Sequence, residues 1–165
     1  MSALPKDIEL DTQLHFRPMQ TADLDAICDI EPRIYSHPWS RGNFSDSLSA
    51  GYSCWVYEDR ENSGAIFGYA VLMTVLDEAH LINISIAKLH QGKGLGRKLL
   101  EHMMQIARNH GAQTIFLEVR PSNIAAVQLY ESMGFNEMAI RRNYYPAVSG
   151  REDAILMGVS LGEAL

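Results

Sequence analysis

The spacing of apolar residues changes several times along this chain, and each change marks an element. Residues 14–19 alternate loosely between apolar and polar and predict a first strand. Thr21 is placed to cap a helix in which Leu24, Ile27, Cys28 and Ile30 share one face. Asp23 and Asp25 fall in its first turn, where carboxylates meet the positive end of the helix dipole. Pro32 is expected to end or bend it. A loop over 35–40 and a short helix over 41–49 follow. Two β-rich runs, 52–58 and 65–76, flank a polar turn that ends in Gly64 and predicts a hairpin. A third run, 79–86, follows a turn at Asp77 and Glu78, and connections this short make the three strands antiparallel neighbours.

Beyond residue 90 the period lengthens. Leu95, Leu99, Leu100, Met103, Met104, Ile106 and Ala107 predict a helix over 95–110 that Gly111 stops. Residues 114–117 are almost continuously apolar, as in a strand buried on both faces. Ser122 is placed to cap a further helix carrying Ile124, Val127, Gln128 and Leu129 and ending near Gly134. Strands over 135–141 and 152–159 complete the chain, joined by a loop over 143–146. The order β-α-α-β-β-β-α-β-α-β-β predicts an α/β protein with a mixed sheet and helices on both faces. Residues 1–12 read as a mobile tail and 13–165 as one domain, since no repeat or Pro/Gly/Ser-rich linker divides them.

Composition narrows the classes. The 165 residues suit one core, and 47% apolar with 21% charged residues is a globular balance. A net charge of −6 argues against a nucleic-acid-coating surface and suits a cationic substrate such as a protonated amine. No run reaches the ~18 apolar residues of a membrane span, and the N-terminus lacks the basic-then-apolar order of a secretory signal. A cytoplasmic protein is expected. Cys28 and Cys54 fit no metal-ligand spacing and read as buried free thiols. The six histidines include no His-Glu-x-x-His pattern, so no metal is expected.

The candidate chemistry begins at Gln91-Gly92-Lys93-Gly94-Leu95-Gly96-Arg97, between a strand and a helix. Glycine lets backbone N–H groups approach a ligand closely, and a helix N-terminus adds positive partial charge, a combination suited to a pyrophosphate. The P-loop and the dinucleotide fingerprint both fail at position 97, which is arginine. The Gln-x-x-Gly-x-Gly arrangement of the GNAT acetyltransferases is met by Gln91, Gly94 and Gly96. A ligand-free strand-to-helix turn is the competing reading.

The loop does not stand alone. Residues 115–123, with Glu118, Arg120 and Asn123, and residues 125–135, with Tyr130 and Gly134, resemble the second half of the GNAT cofactor site. The stretches 140–146 and 150–155 resemble, more narrowly, the bacterial ribosomal-protein alanine N-acetyltransferases of the RimI type. The resemblance covers about residues 14–160, and 91–153 carry most of its specificity. It implies the GNAT fold, a mostly antiparallel sheet of about seven strands splayed at the cofactor site. It also implies acetyl-CoA as co-substrate and a protein N-terminus as acceptor, that of a small-subunit ribosomal protein beginning with alanine.

The resemblance assigns roles that residue chemistry can support. An α-amine with a pKa near 8 is largely protonated at neutral pH, so its attack on a thioester needs a base. The matching residue is Glu118, whose neighbours Phe116, Leu117 and Val119 are apolar, a setting that favours a raised carboxyl pKa. Its plain alternative is a carboxylate facing solvent. Tyr130 matches the proposed acid that protonates the departing thiolate; its alternative is a core tyrosine. Asn123 matches a cofactor contact, with simple helix-start chemistry as the alternative. By the same resemblance, backbone groups of Ile84, Ser85 and Ile86 pair with the pantetheine arm, an N–H near Ile86 polarises the thioester carbonyl, and Gln91, Gly92, Lys93, Gly94, Leu95, Gly96 and Arg97 hold the diphosphate. Pro38, Trp39, Tyr144 and Tyr145 flank the acceptor, or else pack beneath loops.

The chain departs from the family pattern at 87–90, where an acidic-Pro approach to the loop is more usual, and at Gly92, where a basic residue is common and Lys93 stands to compensate. Three rival functions remain: acetylation of a small amine such as a polyamine or aminoglycoside, a non-catalytic acetyl-CoA-binding module, and a nucleotide-phosphate enzyme.

Overall fold

The computed structural model describes residues 14–61 and 64–162, so the expected tail over 1–12 lies outside the described residues. Thirteen elements run in order: β1 (Leu14–Pro18), a 3-10 turn (Thr21–Asp23), α1 (Leu24–Ile34), α2 (Arg41–Ser49), β2 (Ser53–Asp59), β3 (Ala65–Val75), β4 (Glu78–Ile86), a 3-10 turn (Lys88–His90), α3 (Leu95–Asn109), β5 (Thr114–Val119), α4 (Ile124–Ser132), β6 (Asn136–Pro146) and β7 (Arg151–Ser160). The seven strands form one sheet in the order β1-β2-β3-β4-β5-β7-β6. Only β4 and β5 pair in parallel.

Strand alternation sends β3 side chains to two cores. Ala70 and Leu72 join Leu99, Leu100, Met103, Ile115 and Tyr130 on the face covered by α3 and α4. Tyr69 and Val71 join Leu24, Ile27, Phe44 and Val56 on the face covered by α1 and α2. Helices therefore cover both faces, as expected. Cys54 is buried in the second core, which pushes its thiol up to about 11, while Cys28 is only partly buried.

The β4–β5 ladder is short. It runs from Glu78↔Thr114 to Leu81↔Leu117, while β4 continues to Ile86 and β5 to Val119 without meeting again. β4 slips by one residue against β3, pairing Val71 with Asn83 but Leu72 with Leu81, which leaves Ile82 as the extra residue of a bulge. A bulge bends its strand, and this one sits where the two strands part.

Several local expectations are corrected. Thr21 does not cap the first helix. Gln20 and Asp23 form a capping box on the 3-10 turn, and the Asp23 carboxylate also accepts from both terminal nitrogens of Arg17, at 2.9 and 2.7 Å. Pro32 removes one helix hydrogen bond, but the Tyr35 amide closes the last turn by donating to the Glu31 carbonyl, so α1 runs on to Ile34. Residues 114–117 are buried on alternate positions rather than on both faces. The expected loop at 143–146 belongs to β6. Its ladder is irregular between Arg141 and Tyr145, Asn143 takes φ +53°, and the Arg151 side chain donates to the Asn143 and Tyr144 carbonyls, keeping the irregular stretch on the strand.

Candidate active site

Two clefts meet at the parting of β4 and β5. One, of about 530 Å³, is lined by Ile84, Ser85 and Ile86 of β4, by Gln91, Gly92, Gly94, Leu95 and Gly96 of the glycine loop, and by Asn123, Leu129 and Tyr130. The other, of about 300 Å³, is lined by Glu31, Tyr35, Trp39, Asn83, Glu118 and Tyr145. Tyr35, Ile84, Arg120, Asn123 and Tyr130 form walls of both.

The glycine loop opens α3. Gly94 caps α3 in the left-handed region at φ +79°, and Gly92 lies at φ +77°. A Cβ at either would meet nothing within 4 Å, so backbone conformation rather than packing calls for glycine there, and the surface it leaves is open. The first amides of a helix have no intrahelical acceptor. α3 spans 15 residues and has no side-chain cap and no acidic residue in its first turn, so its positive end is unanswered by the protein itself. These features fit a diphosphate. Of the charged side chains, Lys93 lines neither cleft, and Arg97 Nη2 donates to Ser132 Oγ on α4 at 2.9 Å.

The open edge of β4 is equally specific. The Ala87 amide donates to the Phe67 carbonyl, so by alternation Ser85 and Asn83 bond towards β3 while the backbone groups of Ile84 and Ile86 face the parting. Both carbonyls on that edge are occupied. The Tyr35 hydroxyl donates to Ile84 O at 3.0 Å, and Gln91 Nε2 donates to Ile86 O at 3.0 Å. The edge therefore presents N–H donors, the groups that a thioester carbonyl and an extended amide arm need.

Glu118 lines the second cleft, but its surroundings differ from the expectation. Period-2 alternation sends Leu117 and Val119 into the core on the opposite face, and the carboxylate instead meets Arg141 Nε at 3.0 Å. Tyr144 stands beside it, and Glu118, as hydrogen-bond acceptor and negative charge, pushes that phenol up. Tyr130 is buried among the α3–α4 core residues, as its packing alternative foresaw, and it lines both clefts as well. Its hydroxyl makes no hydrogen bond among the described residues. Burial first, with the nearby Tyr35 and Tyr145 phenols, holds its pKa well above the ordinary tyrosine value.

Asn123, not Ser122, caps α4, its side chain accepting from the Ala126 amide at 3.3 Å, while it also lines both clefts. Ser122 is drawn instead to Glu152, which accepts from its amide and its hydroxyl at 2.9 Å each. Trp39 and Tyr145 line the second cleft; Tyr144 joins them around a third hollow beside Glu118, and Pro38 lines none of the three. The Arg120 guanidinium lies 4.4 Å from the centre of the Tyr145 ring, and the same side chain donates to Pro146 O and pairs with Glu152.

Three cleft residues carry no sequence signal of their own. Glu31 sits on an amphipathic helix beside Pro32, where a glutamate reads as solvent-facing, yet it is 1% exposed. Tyr35 falls in the segment read as a loop, and Asn83 lies within an otherwise apolar strand. Among the described residues no three His, Cys, Asp or Glu side chains gather as a metal site. No helix among them is long and apolar enough to cross a membrane.

Comparison with known proteins gives the same direction as the geometry. Residues 24–135 match the model of the Acetyltransferase (GNAT) family. The chain is 44% identical over 143 residues to the [Ribosomal protein bS18]-alanine N-acetyltransferase of Escherichia coli K12, covering 87% of this chain and 95% of that one. The crystal structure of the Escherichia coli ribosomal-protein-S18-alanine N-acetyltransferase superposes with a TM-score of 0.84 at 42% identity, covering 92% of this chain and 96% of that one. A putative acetyltransferase from Salmonella typhimurium, solved with its cofactor acetyl-CoA, shares the fold at TM-score 0.74 and 24% identity, over 92% of this chain and 96% of its own.

Proposed function

The chain belongs to the GNAT acetyltransferase family, and we propose that it transfers acetyl from acetyl-CoA to the N-terminal α-amine of a ribosomal protein that begins with alanine. The observation that carries this reading is the shared wall: a phosphate-suited cleft and a second, carboxylate-bearing cleft meet at Tyr130, where β4 and β5 part. The relatives named as bS18-alanine N-acetyltransferases, and the chain's near-complete coverage of them, support the acceptor. That acceptor implies a cytoplasmic protein.

Acetyl-CoA supplies an activated acetyl group as its thioester. The amides of Gly94, Leu95 and Gly96 hold its diphosphate, and the N–H groups of Ile84 and Ile86 receive its arm and polarise the thioester carbonyl. Glu118 accepts a proton from the incoming ammonium, directly or through water. The neutral amine forms the new C–N bond as the C–S bond breaks, Tyr130 gives its proton to the departing sulfur, and the second proton that the nitrogen sheds as the amide forms restores the phenol. A raised phenol pKa keeps the group protonated at working pH; because it also makes the phenol a weaker acid than a thiol, the proton is drawn across by the charge developing on sulfur as the C–S bond breaks and by the proton the nitrogen returns. Asn123 stands at the junction, and Trp39, Tyr144 and Tyr145 flank the acceptor chain.

Mass spectrometry of ribosomal-protein N-termini from cells with and without this protein tests the reading. Loss of one alanine N-terminal acetyl group is expected. Turnover of spermidine or an aminoglycoside, with none of an alanine-initiated peptide, would instead assign a small-amine acceptor.

A further inference from the structure

A buried carboxylate on α1 reaches the open edge of β4 through a single line of hydrogen bonds. Glu31 Oε1 accepts from Tyr69 Oη at 3.0 Å and from Asn83 Nδ2 at 3.1 Å. Asn83 Oδ1 accepts from Ser85 Oγ at 2.9 Å, and Ser85 Oγ lies 2.8 Å from Tyr35 Oη, which also reaches the Ile84 carbonyl at 3.0 Å. The other carboxylate oxygen, Oε2, is buried and has no hydrogen-bond partner among the described residues. Burial raises the Glu31 carboxyl above its ordinary range, against the Asn83 and Tyr69 hydrogen bonds. A buried carboxylate this poorly satisfied costs stability, so packing alone does not account for it.

The direction of the line follows from donor inventory. A carboxylate only accepts, so it turns the Asn83 amide nitrogen towards itself and the Asn83 oxygen towards Ser85. Ser85 spends its one proton on that oxygen and is left as an acceptor, so the single Tyr35 proton is shared, in a three-centre contact, between Ser85 Oγ and the Ile84 carbonyl. The Tyr35 hydroxyl is thereby held between Ser85 Oγ and Ile84 O. It sits at the strand edge just beyond Leu81↔Leu117, where β5 no longer supports β4.

We propose that Glu31 and Tyr35 are positioning residues for acetyl transfer: the Glu31–Asn83–Ser85–Tyr35 line fixes the Ile84 backbone that presents its N–H to the thioester. Tyr35 takes the place of the missing strand, holding the carbonyl so that the amide on the same edge keeps its aim. Neither residue touches the acceptor's reacting nitrogen. The inference rests on the acetyltransferase reading of the two clefts.

The test uses the full chain, with kcat, KM for acetyl-CoA and calorimetric Kd for coenzyme A measured for wild type, Glu31→Gln, Tyr35→Phe and their double variant. Each single variant is expected to lower kcat about tenfold, the scale of a small misplacement, with coenzyme A Kd within about twofold of wild type. The double variant is expected to be no slower than the slower single, because both changes break one line. Ser85→Ala cuts the line while leaving Tyr69 and Asn83 on Glu31, and is expected to match Tyr35→Phe. Multiplying losses in the double variant would overturn the proposal. So would wild-type kcat in Ser85→Ala, or losses of kcat that track losses of coenzyme A binding and thermal midpoint. Wild-type protein that neither binds coenzyme A nor turns over would remove the underlying reading, which is seen before any variant is compared.

Discussion

Glu118 on β5 and Arg141 on β6 are ion-paired, Oε1 to Nε at 3.0 Å, although β7 lies between their strands. The register explains the reach: Glu118 stands opposite Leu156 of β7, whose β6 partner is Ala139, and Arg141 is two residues further along the same face of β6. The carboxylate read as the base is thus oriented by a guanidinium from the sheet's edge.

Glu118→Gln is expected to lower kcat about 10²-fold or more while leaving coenzyme A affinity unchanged, because Glu118 is absent from the glycine-loop cleft. Arg141→Ala is expected to lower kcat by less, since it frees the carboxylate without removing it. Steady-state kinetics beside calorimetry checks both. Equal loss of coenzyme A binding in Glu118→Gln would show that the two clefts are not separate.

Tyr130→Phe is expected to lower kcat about 10²-fold with little change in thermal midpoint, since the hydroxyl it removes has no hydrogen-bond partner among the described residues. Burial raises the folded pKa of this phenol above the ordinary value near 10, so its protonated form persists through pH 9. The kcat profile should carry no basic limb from Tyr130 between pH 7 and pH 9. A limb in that window that vanishes in Tyr130→Phe would contradict its assignment.

Gly94→Ala tests the loop. The left-handed φ of +79° is expected to cost about 1 kcal/mol of folding stability, seen by chemical denaturation. The added methyl stands on the open face of the loop, so KM for acetyl-CoA should also rise by about tenfold. An unchanged KM would mean that the diphosphate is held elsewhere.

His102 on α3 stacks on Phe16 at 4.2 Å and meets Trp55 edge-on at 4.6 Å, with Nε2 buried and unpartnered. Burial lowers its pKa below the unfolded value near 6.5. The unfolded chain then binds more protons, so the stability this residue contributes is complete above about pH 6.5 and declines as pH falls below it. His102→Phe keeps the stacking and removes the titration. Its thermal midpoint should gain on wild type at pH 5.5 relative to pH 8, and a constant difference across that range would refute the account.

The fold was largely legible because its signals are local. Period 3.6 from Leu95 to Ala107, the polar turn ending in Gly64 and the left-handed Gly94 before Leu95 each specify backbone directly, and each stands where expected. Misreadings came where a distant side chain decides. Ser122 and Asn123 are both good caps, and Glu152, thirty residues away, takes the first and leaves the second. Asn143 to Pro146 looks like a turn until the Arg151 clamp is known. Leu117 and Val119 flank Glu118 in sequence but send their side chains into the core on the other face of β5, and Glu31 is buried only because β3 and β4 bring Tyr69 and Asn83 to it.

β6 is exposed at almost every position and lies against β7 alone at the margin of the sheet. It nonetheless carries Arg141, Tyr144 and Tyr145, of which the two tyrosines are proposed to flank the acceptor and the arginine pairs with Glu118. The proposed donor half leans on residues of the α3–α4 core such as Leu95 and Tyr130, so changes at those positions are paid in folding. The proposed acceptor half is mounted on an exposed rim. Recognition of the amine-bearing partner is therefore free to drift, or to be redesigned, by substitutions along one strand while the acetyl-delivering machinery stays intact.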